Sequence, residues 1–305
     1  MFDHVRDRVR VVEVGPRDGL QNEKKLVSTQ DKEAFVQLLI QAGFHSIELT
    51  SFVKASAIPQ MADAQELFSL FSSETKAQFP CLVPNMKGFE TARDLGVKEI
   101  ALFTASSESF NQKNIRASIE ESLLRMEAVI QEAKKEGIRI RGYVSTAFYC
   151  PYEGKTSTKK LIELSEWFLE RGIYEVSIGD TIGAAGPKEV WNVLEEMKQS
   201  IPVDRLAMHF HDTRGMAIAN ILTSLEQGIR VFDSSAGGLG GCPYAKGATG
   251  NVASEDLIYL LDKLGMEHGI KMEALIEAST FILKCIGKES TSKVYQTFSG
   301  DLDYV

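Results

Sequence analysis

The chain has 305 residues, of which 44% are hydrophobic, and a formal net charge of −8. This length supplies enough apolar side chains for one α/β barrel or for two ordinary domains. The negative charge, without a clustered basic stripe, argues against a nucleic-acid partner held through phosphate contacts, whereas small anionic substrates need only a few local cations. No apolar run approaches the roughly 20 residues of a membrane span, so we expect no membrane partner and a cytoplasmic location.

The four cysteines are far apart and form no C-x-x-C pair. Their spacing favours neither a zinc knuckle nor a disulfide framework. A reducing compartment fits this pattern.

Short runs rich in β-branched residues alternate with longer segments of helical spacing along the whole chain. Strict alternation of strands and helices predicts parallel strands joined by right-handed crossovers. Eight such units match a (β/α)8 TIM barrel better than an open doubly wound sheet, and no G-x-G-x-x-G motif follows the first strand. The predicted strands span residues 9–14, 45–50, 79–84, 98–104, 138–146, 174–180, 205–212 and 230–238.

No linker or low-complexity tract divides the chain, so residues 1–305 are predicted to form a single catalytic TIM-barrel domain. Residues 265–305 have helical character, most clearly in MEALIEASTFILKCIGK, and we expect them to pack on the barrel as a helical extension. An exposed extension of this kind is compatible with a homodimer.

The first strand runs into VGPRDGLQNE, which places Arg17 and Asp18 in the first βα loop, at the C-terminal mouth of the barrel. Asp18 offers the oxygen ligand that hard cations prefer, and Arg17 could stabilise negative charge on a substrate oxygen. A tight turn through Gly15, Pro16 and Gly19 would account for Asp18 equally well.

The second strand, HSIELT, places Glu48 in the barrel interior, because Ile47 and Leu49 then face the helices. A buried carboxylate is costly unless it is paired, and Arg17 on the adjacent strand is its natural partner. The alternative is a purely structural ion pair, although such a pair would also hold Arg17 in position.

The sixth strand ends in SIGDTIG, which places Asp180 at the same mouth. Two interpretations are open for its carboxylate. It could cap the turn into the next helix, or it could orient a histidine from behind.

The seventh strand, in LAMHFHDTRG, carries two of the five histidines one residue apart. Alternation puts Leu206, Met208 and Phe210 toward the helices, so His209 and His211 face the barrel interior near its mouth. Two imidazoles at this spacing favour a divalent metal. The alternative is a pair of core histidines satisfied by their neighbours.

After the eighth strand, AGGLGGCPYAKGATGN at residues 236–251 has six glycines in sixteen residues, with Cys242 at its centre. This composition predicts a mobile loop that closes over a substrate, and its spacing is not that of a P-loop. Asn251 supplies an amide oxygen at the mouth, while a helix N-cap is its competing role.

Five of these segments together resemble 3-hydroxy-3-methylglutaryl-coenzyme A lyase, within a wider group of divalent-metal barrel enzymes that make or break carbon–carbon bonds. The segments are VEVGPRDGLQNE, IELTSFV, SIGDTIG, HFHDTRG and GGLGGCPYAKGATGN, and the resemblance covers about residues 8–290. It implies an Mg²⁺ or Mn²⁺ ion bound by Asp18, His209, His211 and Asn251. It implies catalytic roles for Arg17, Asp18, Glu48, Asp180, His209 and Cys242, and contacts to an acyl-CoA substrate from Arg17, Asn114 and Tyr143.

The function implied by the resemblance is cleavage of 3-hydroxy-3-methylglutaryl-CoA to acetoacetate and acetyl-CoA, as in leucine degradation and ketone-body formation. Two enzymatic alternatives belong to the same wider group, namely an acyl-CoA condensing synthase and a 4-hydroxy-2-oxo acid aldolase. A catalytically inactive metal-binding regulator is the alternative outside enzymes. Such a regulator would have no need of Arg17, Glu48 and Cys242 together.

Overall fold

Eight parallel strands and the helices between them form the body of the computed structural model, which describes residues 7–241 and 250–299. Two further strands, β6 (Tyr149–Cys150) and β7 (Gly154–Lys155), pair with each other as a separate hairpin. In chain order the strands are β1 (Arg10–Glu13), β2 (Thr50–Ser51), β3 (Cys81–Leu82), β4 (Glu99–Ala105), β5 (Arg139–Ser145), β6 (Tyr149–Cys150), β7 (Gly154–Lys155), β8 (Glu175–Asp180), β9 (Leu206–Phe210) and β10 (Val231–Ser234).

The strand order is β1-β10-β9-β8-β5-β4-β3-β2, with every neighbouring pair parallel. The backbone just before β2 lies beside β1 and closes the sheet on itself. There the Glu13 amide donates to the Ser46 carbonyl (3.0 Å), and the Glu48 amide donates to the Glu13 carbonyl (2.8 Å). The TIM barrel and its eight strands are therefore confirmed. Part of the second predicted strand is present only as single bridges at Ser46 and Ile47.

Eleven helices surround the sheet or follow it in the described part of the chain. They are α1 (Thr29–Ala42), α2 (Ala64–Phe71), α3 (Met86–Asp94), α4 (Glu108–Ile115), α5 (Ile119–Lys135), α6 (Thr158–Glu170), α7 (Pro187–Met197), α8 (Ala217–Glu226), α9 (Ser254–Leu264), α10 (Met272–Ile286) and α11 (Lys293–Ser299). Their ends follow local chemistry. Ser118 and Glu121 form a capping box at the start of α5, and α1 ends at Gly43, whose φ of 103° is readily adopted by glycine.

The main apolar core lies between the strands and the helix layer. Leu206, Met208 and Phe210 of β9 are buried on this side, as their alternation along the strand predicts. The opposite faces of the strands fill the barrel interior with polar and charged side chains, among them Glu48, Arg141 and Asp233, which are also buried. The fold thus places ionisable groups inside the barrel, where each needs a partner.

The C-terminal helices pack on the barrel. Helix α10 contacts α1 and the turn at Ala236–Gly238. Asp256 of α9 accepts hydrogen bonds from the Ser292 hydroxyl (2.8 Å) and the Val294 amide (2.9 Å), which anchors the start of α11. The assignment of residues 265–305 as an extension of a single domain stays a prediction.

The β6–β7 hairpin was not among the predicted elements, because strands of two residues are too short to show an alternating pattern. Among the described residues, no helix combines the length and the apolar character needed to cross a membrane.

Candidate active site

The two histidines lie at the C-terminal end of β9, where alternation turns both toward the barrel interior. Their ring centroids are 5.2 Å apart. His209 Nδ1 lies 3.2 Å from a carboxylate oxygen of Asp233, whereas His211 Nδ1 is buried with no hydrogen-bond partner. The two imidazoles therefore share a face of one strand but have different surroundings.

Asp18 reaches the histidines from the other side of the mouth, on a turn of π-helix at Gly15–Gly19 rather than on a tight turn. One carboxylate oxygen and one ring nitrogen from each of the two histidines all lie within 4.8 Å of one another. The structure therefore brings Asp18, His209 and His211 together as a possible metal site.

Asn251, the last residue of the glycine-rich loop, completes this group shortly before α9 begins. Its Nδ2 donates to Asp18 Oδ2 (2.9 Å) and to the Leu239 carbonyl (3.2 Å), and its backbone forms a bridge with His211. Its Oδ1 is buried and has no hydrogen-bond partner. A buried amide oxygen left without a donor, beside one carboxylate and two imidazoles, fits a divalent cation.

The charges of these groups suit a cation ligand set. Burial alone would raise the pKa of Asp18, but the charge of Arg17, the two imidazoles and the hydrogen bond from Asn251 together outweigh it, and the pKa falls to about 2. Burial and the neighbouring His209 lower the pKa of His211 to about 3, which keeps that ring neutral. Burial would also lower the pKa of His209, but the hydrogen bond and charge of Asp233 raise it above its ordinary value.

Arg17 lies beside the possible metal site and is held on two sides. Its Nη1 donates to Asp18 (2.6 Å) and its Nη2 donates to Glu48 (2.6 Å), so the expected pair between Arg17 and Glu48 is present. The Tyr143 hydroxyl donates to the same Glu48 oxygen at 3.3 Å. Glu48 is fully buried and Arg17 nearly so, which fixes the guanidinium at the mouth. The name mouth cluster is used below for Arg17, Asp18, Glu48, His209, His211 and Asn251.

A second set of buried polar side chains packs against the mouth cluster. Arg141 donates to Glu175 (2.7 Å), to Asp233 (2.7 Å) and to the Tyr143 hydroxyl (2.6 Å). The Ser177 hydroxyl donates to the other oxygen of Asp233 at 2.8 Å. The name supporting cluster is used below for Arg141, Tyr143, Glu175, Ser177 and Asp233.

Sequence reasoning had not singled out Asp233 or Arg141. The signal that could have found them is the one that identified Glu48, a charged residue at an inward-facing position of a predicted barrel strand. Phe232 is buried in the apolar core, so its neighbour Asp233 faces inward. Arg141 likewise lies between Ile140, in that core, and Gly142.

Asp180, at the end of β8, has both carboxylate oxygens engaged by the turn that follows. They accept hydrogen bonds from the amides of Ala184 and Ala185, each at 3.0 Å. Asp233 occupies the position beside His209 Nδ1. Of the two interpretations left open for Asp180, the geometry shows the capping contact.

Glu13 is another buried carboxylate that sequence reasoning had not identified. It accepts hydrogen bonds from the amides of Gly15 (2.8 Å) and Ala236 (3.0 Å) and from the Ser254 hydroxyl (2.6 Å). These donors belong to the turn that carries Arg17, the segment after β10, and the start of α9. Glu13 therefore ties together three of the segments from which the site is built.

Of the predicted site residues that the structure describes, Asn114 lies outside this arrangement. Asn114 is exposed near the end of α4, and among the described residues no hydrogen bond joins it to Arg17 or Tyr143. Cys242 and half of the glycine-rich loop, residues 242–249, lie outside the described residues.

Comparison with known proteins gives one family. The HMGL-like family model matches residues 8–282. A human mitochondrial hydroxymethylglutaryl-CoA lyase is 48% identical to this chain over 95% of the chain and 89% of the relative's own length. A rat cytoplasmic 3-hydroxy-3-methylglutaryl-CoA lyase is 50% identical over 94% of the chain and 84% of the relative's own length. The crystal structure of hydroxymethylglutaryl-CoA lyase from Pseudomonas aeruginosa superposes with a TM-score of 0.94 at 46% identity, over 96% of this chain and 98% of that one.

Proposed function

Because the chain belongs to the HMGL-like family, we propose that it is a carbon–carbon lyase that cleaves 3-hydroxy-3-methylglutaryl-CoA to acetoacetate and acetyl-CoA. The observation that carries the proposal is the convergence of Asp18, His209 and His211 within 4.8 Å, with Arg17 directly beside them. Relatives that share about half of the sequence bear the name of this activity.

The cation is Mg²⁺ or Mn²⁺, held by Asp18, His209, His211 and Asn251. The mixed oxygen and imidazole set is harder than the ligand groups typical of catalytic zinc. When bound, the cation lowers the pKa of the substrate hydroxyl and fixes its orientation.

The reaction breaks the bond between the carbinol carbon and the α-carbon of the thioester. The hydroxyl gives up its proton and becomes the ketone of acetoacetate, while the bonding electrons pass to the thioester as an enolate. Protonation of the α-carbon then gives acetyl-CoA. The protein has to accept one proton, donate another and stabilise the enolate oxygen.

Arg17 stabilises the enolate oxygen, and Glu48 keeps its guanidinium in place through the 2.6 Å contact. His209 or Asp18 accepts the hydroxyl proton. Cys242 donates the proton to the α-carbon from the glycine-rich loop.

Tyr143 and Asn114 contact the acyl-CoA in this proposal. Tyr143 lies beside Arg17, with its ring centroid 5.9 Å from the Arg17 guanidinium carbon. Asp180 acts through the turn that it caps, which lies beside the backbone of His211.

The chain is proposed to act in leucine degradation and ketone-body formation, in the cytoplasm and as a homodimer. The relatives named above include one mitochondrial and one cytoplasmic lyase.

The test is acetoacetate release from 3-hydroxy-3-methylglutaryl-CoA, measured with Mn²⁺ or Mg²⁺ and after treatment with a chelator. We expect release that is lost with the chelator and restored by the cation. Condensation of acetyl-CoA without cleavage would instead identify a synthase, and turnover of a 4-hydroxy-2-oxo acid would identify an aldolase. Mn²⁺ binding without turnover of any of these substrates would identify a regulator.

A further inference from the structure

Asp233 is a fully buried carboxylate on β10, directly across from His209 on β9 in the register of the two strands. One of its oxygens lies 3.2 Å from His209 Nδ1 and 2.8 Å from the Ser177 hydroxyl. The other accepts a hydrogen bond from Arg141 at 2.7 Å. Asp233 therefore touches the possible metal site through one ring nitrogen of one histidine.

Arg141 allows Asp233 to be buried as an anion. Its guanidinium is 1% exposed and is paired with both Asp233 and Glu175, so two carboxylates lie beside one fixed cation inside the barrel. An ionised carboxylate only accepts hydrogen bonds. The contact with His209 thus requires the proton on Nδ1, and in the neutral ring this leaves Nε2 with its lone pair free.

His211 provides an internal comparison. It lies two residues further along on the same face, and its Nδ1 is buried with no hydrogen-bond partner. Of these two rings, only that of His209 has a hydrogen bond to a carboxylate among the described residues. The two imidazoles of one His-x-His motif are therefore held in different ways.

We propose that Asp233 is a positioning residue that fixes the ring orientation and tautomer of His209, so that Nε2 is the nitrogen presented to the divalent cation. This role rests on the metal site of the proposed function. Carboxylates behind metal-binding histidines act generally in this way, and their loss costs about 10–100-fold in metal affinity or activity.

The test compares Asp233→Asn with Glu175→Gln. Both variants disturb the ion pairs of Arg141, but only Asp233 touches His209. The probe is Mn²⁺ alone, titrated into the metal-free protein and followed by electron paramagnetic resonance. We expect Asp233→Asn to weaken Mn²⁺ binding by about 10–100-fold and Glu175→Gln to leave it unchanged. Equal weakening in both variants, or no weakening in Asp233→Asn, would overturn the proposal.

A second measurement can be made on the wild-type protein, so it does not depend on whether a variant folds. In metal-free protein labelled with ¹⁵N-histidine, at a pH where the ring is neutral, nuclear magnetic resonance should find the His209 proton on Nδ1. The side-chain amide of Asp233→Asn can donate to Nδ1, so the proton should move to Nε2 in that variant. A wild-type proton on Nε2 would overturn the proposal even if Asp233→Asn does not fold.

None of these readouts uses an acyl-CoA. A normal rate of acetoacetate release with no Mn²⁺ or tautomer effect in Asp233→Asn would overturn the role of Asp233 alone. Absence of acetoacetate release with both effects present would overturn the proposed substrate alone.

Discussion

The mouth cluster and the supporting cluster share the barrel interior and are both largely buried, but their polar atoms are satisfied to different extents. In the mouth cluster four buried atoms have no hydrogen-bond partner, namely Arg17 Nε, Glu48 Oε1, His211 Nδ1 and Asn251 Oδ1. Within the described residues, the supporting cluster leaves no such atom.

This difference indicates that the mouth cluster binds a ligand, whereas the supporting cluster holds the side chains of the mouth cluster in place. A buried polar atom without a partner destabilises the folded chain by about 1–3 kcal/mol, so several at one mouth are tolerated where a cation or substrate completes them. A fully paired set such as Arg141 with Glu175 and Asp233 needs nothing further. We infer that stability depends more on the supporting cluster and that binding and turnover depend more on the mouth cluster.

The largest expected effect tests the supporting cluster. Arg141→Met removes the buried cation of Asp233 and leaves Glu175 paired with Arg10 alone, so the free energy of unfolding should fall by about 3–5 kcal/mol, as measured by urea denaturation. Arg139→Met is the control on the same strand. Its side chain is 51% exposed and pairs with Glu99 at 3.3 Å, so its loss should change the free energy by only about 0–1 kcal/mol. Equal losses would contradict the distinction between the clusters.

A change in the mouth cluster should affect turnover instead. Arg17→Gln removes the cation assigned to the enolate oxygen, so kcat should fall by about 10²–10³-fold, or about 2.7–4 kcal/mol in activation free energy. The affinity for Mn²⁺ should survive, because Arg17 is not among the proposed ligands. Arg139→Gln makes the same change at the start of β5, at the end of the barrel opposite the mouth, and should leave kcat unchanged. Retained turnover in Arg17→Gln would remove Arg17 from the chemistry.

The smallest of the three effects concerns a single unpartnered atom. Asn251→Ala removes the free amide oxygen at the mouth and should weaken Mn²⁺ binding by at least about 10-fold, or 1.4 kcal/mol, in a calorimetric titration. Asn220 on α8 is the matched control, since its Oδ1 is also buried without a partner while its Nδ2 donates to the Ala185 carbonyl. Asn220→Ala should leave the Mn²⁺ affinity unchanged. Equal weakening in both variants would show that the amide of Asn251 acts only through stability.

Most of the barrel could be predicted from alternation along the strands. The same alternation placed Glu48, His209 and His211 inside, because burial of one strand face requires the other face to point inward. It could also have identified Asp233 and Arg141, which lie on inward-facing positions of β10 and β5. For Asp180, the sequence alone did not decide between two contacts, because a carboxylate at the end of a strand can reach either the following turn or a histidine on a neighbouring strand.

The sequence by itself determined which side chains enter the barrel and at which end, since strand period and the direction of parallel strands are local properties of the chain. Only the tertiary structure decided their partners. Asn251 meets Asp18 across 233 positions, and Asp233 rather than Asp180 holds the side chain of His209. Such pairings depend on the order and register of strands in the closed sheet, which no local pattern of residues encodes.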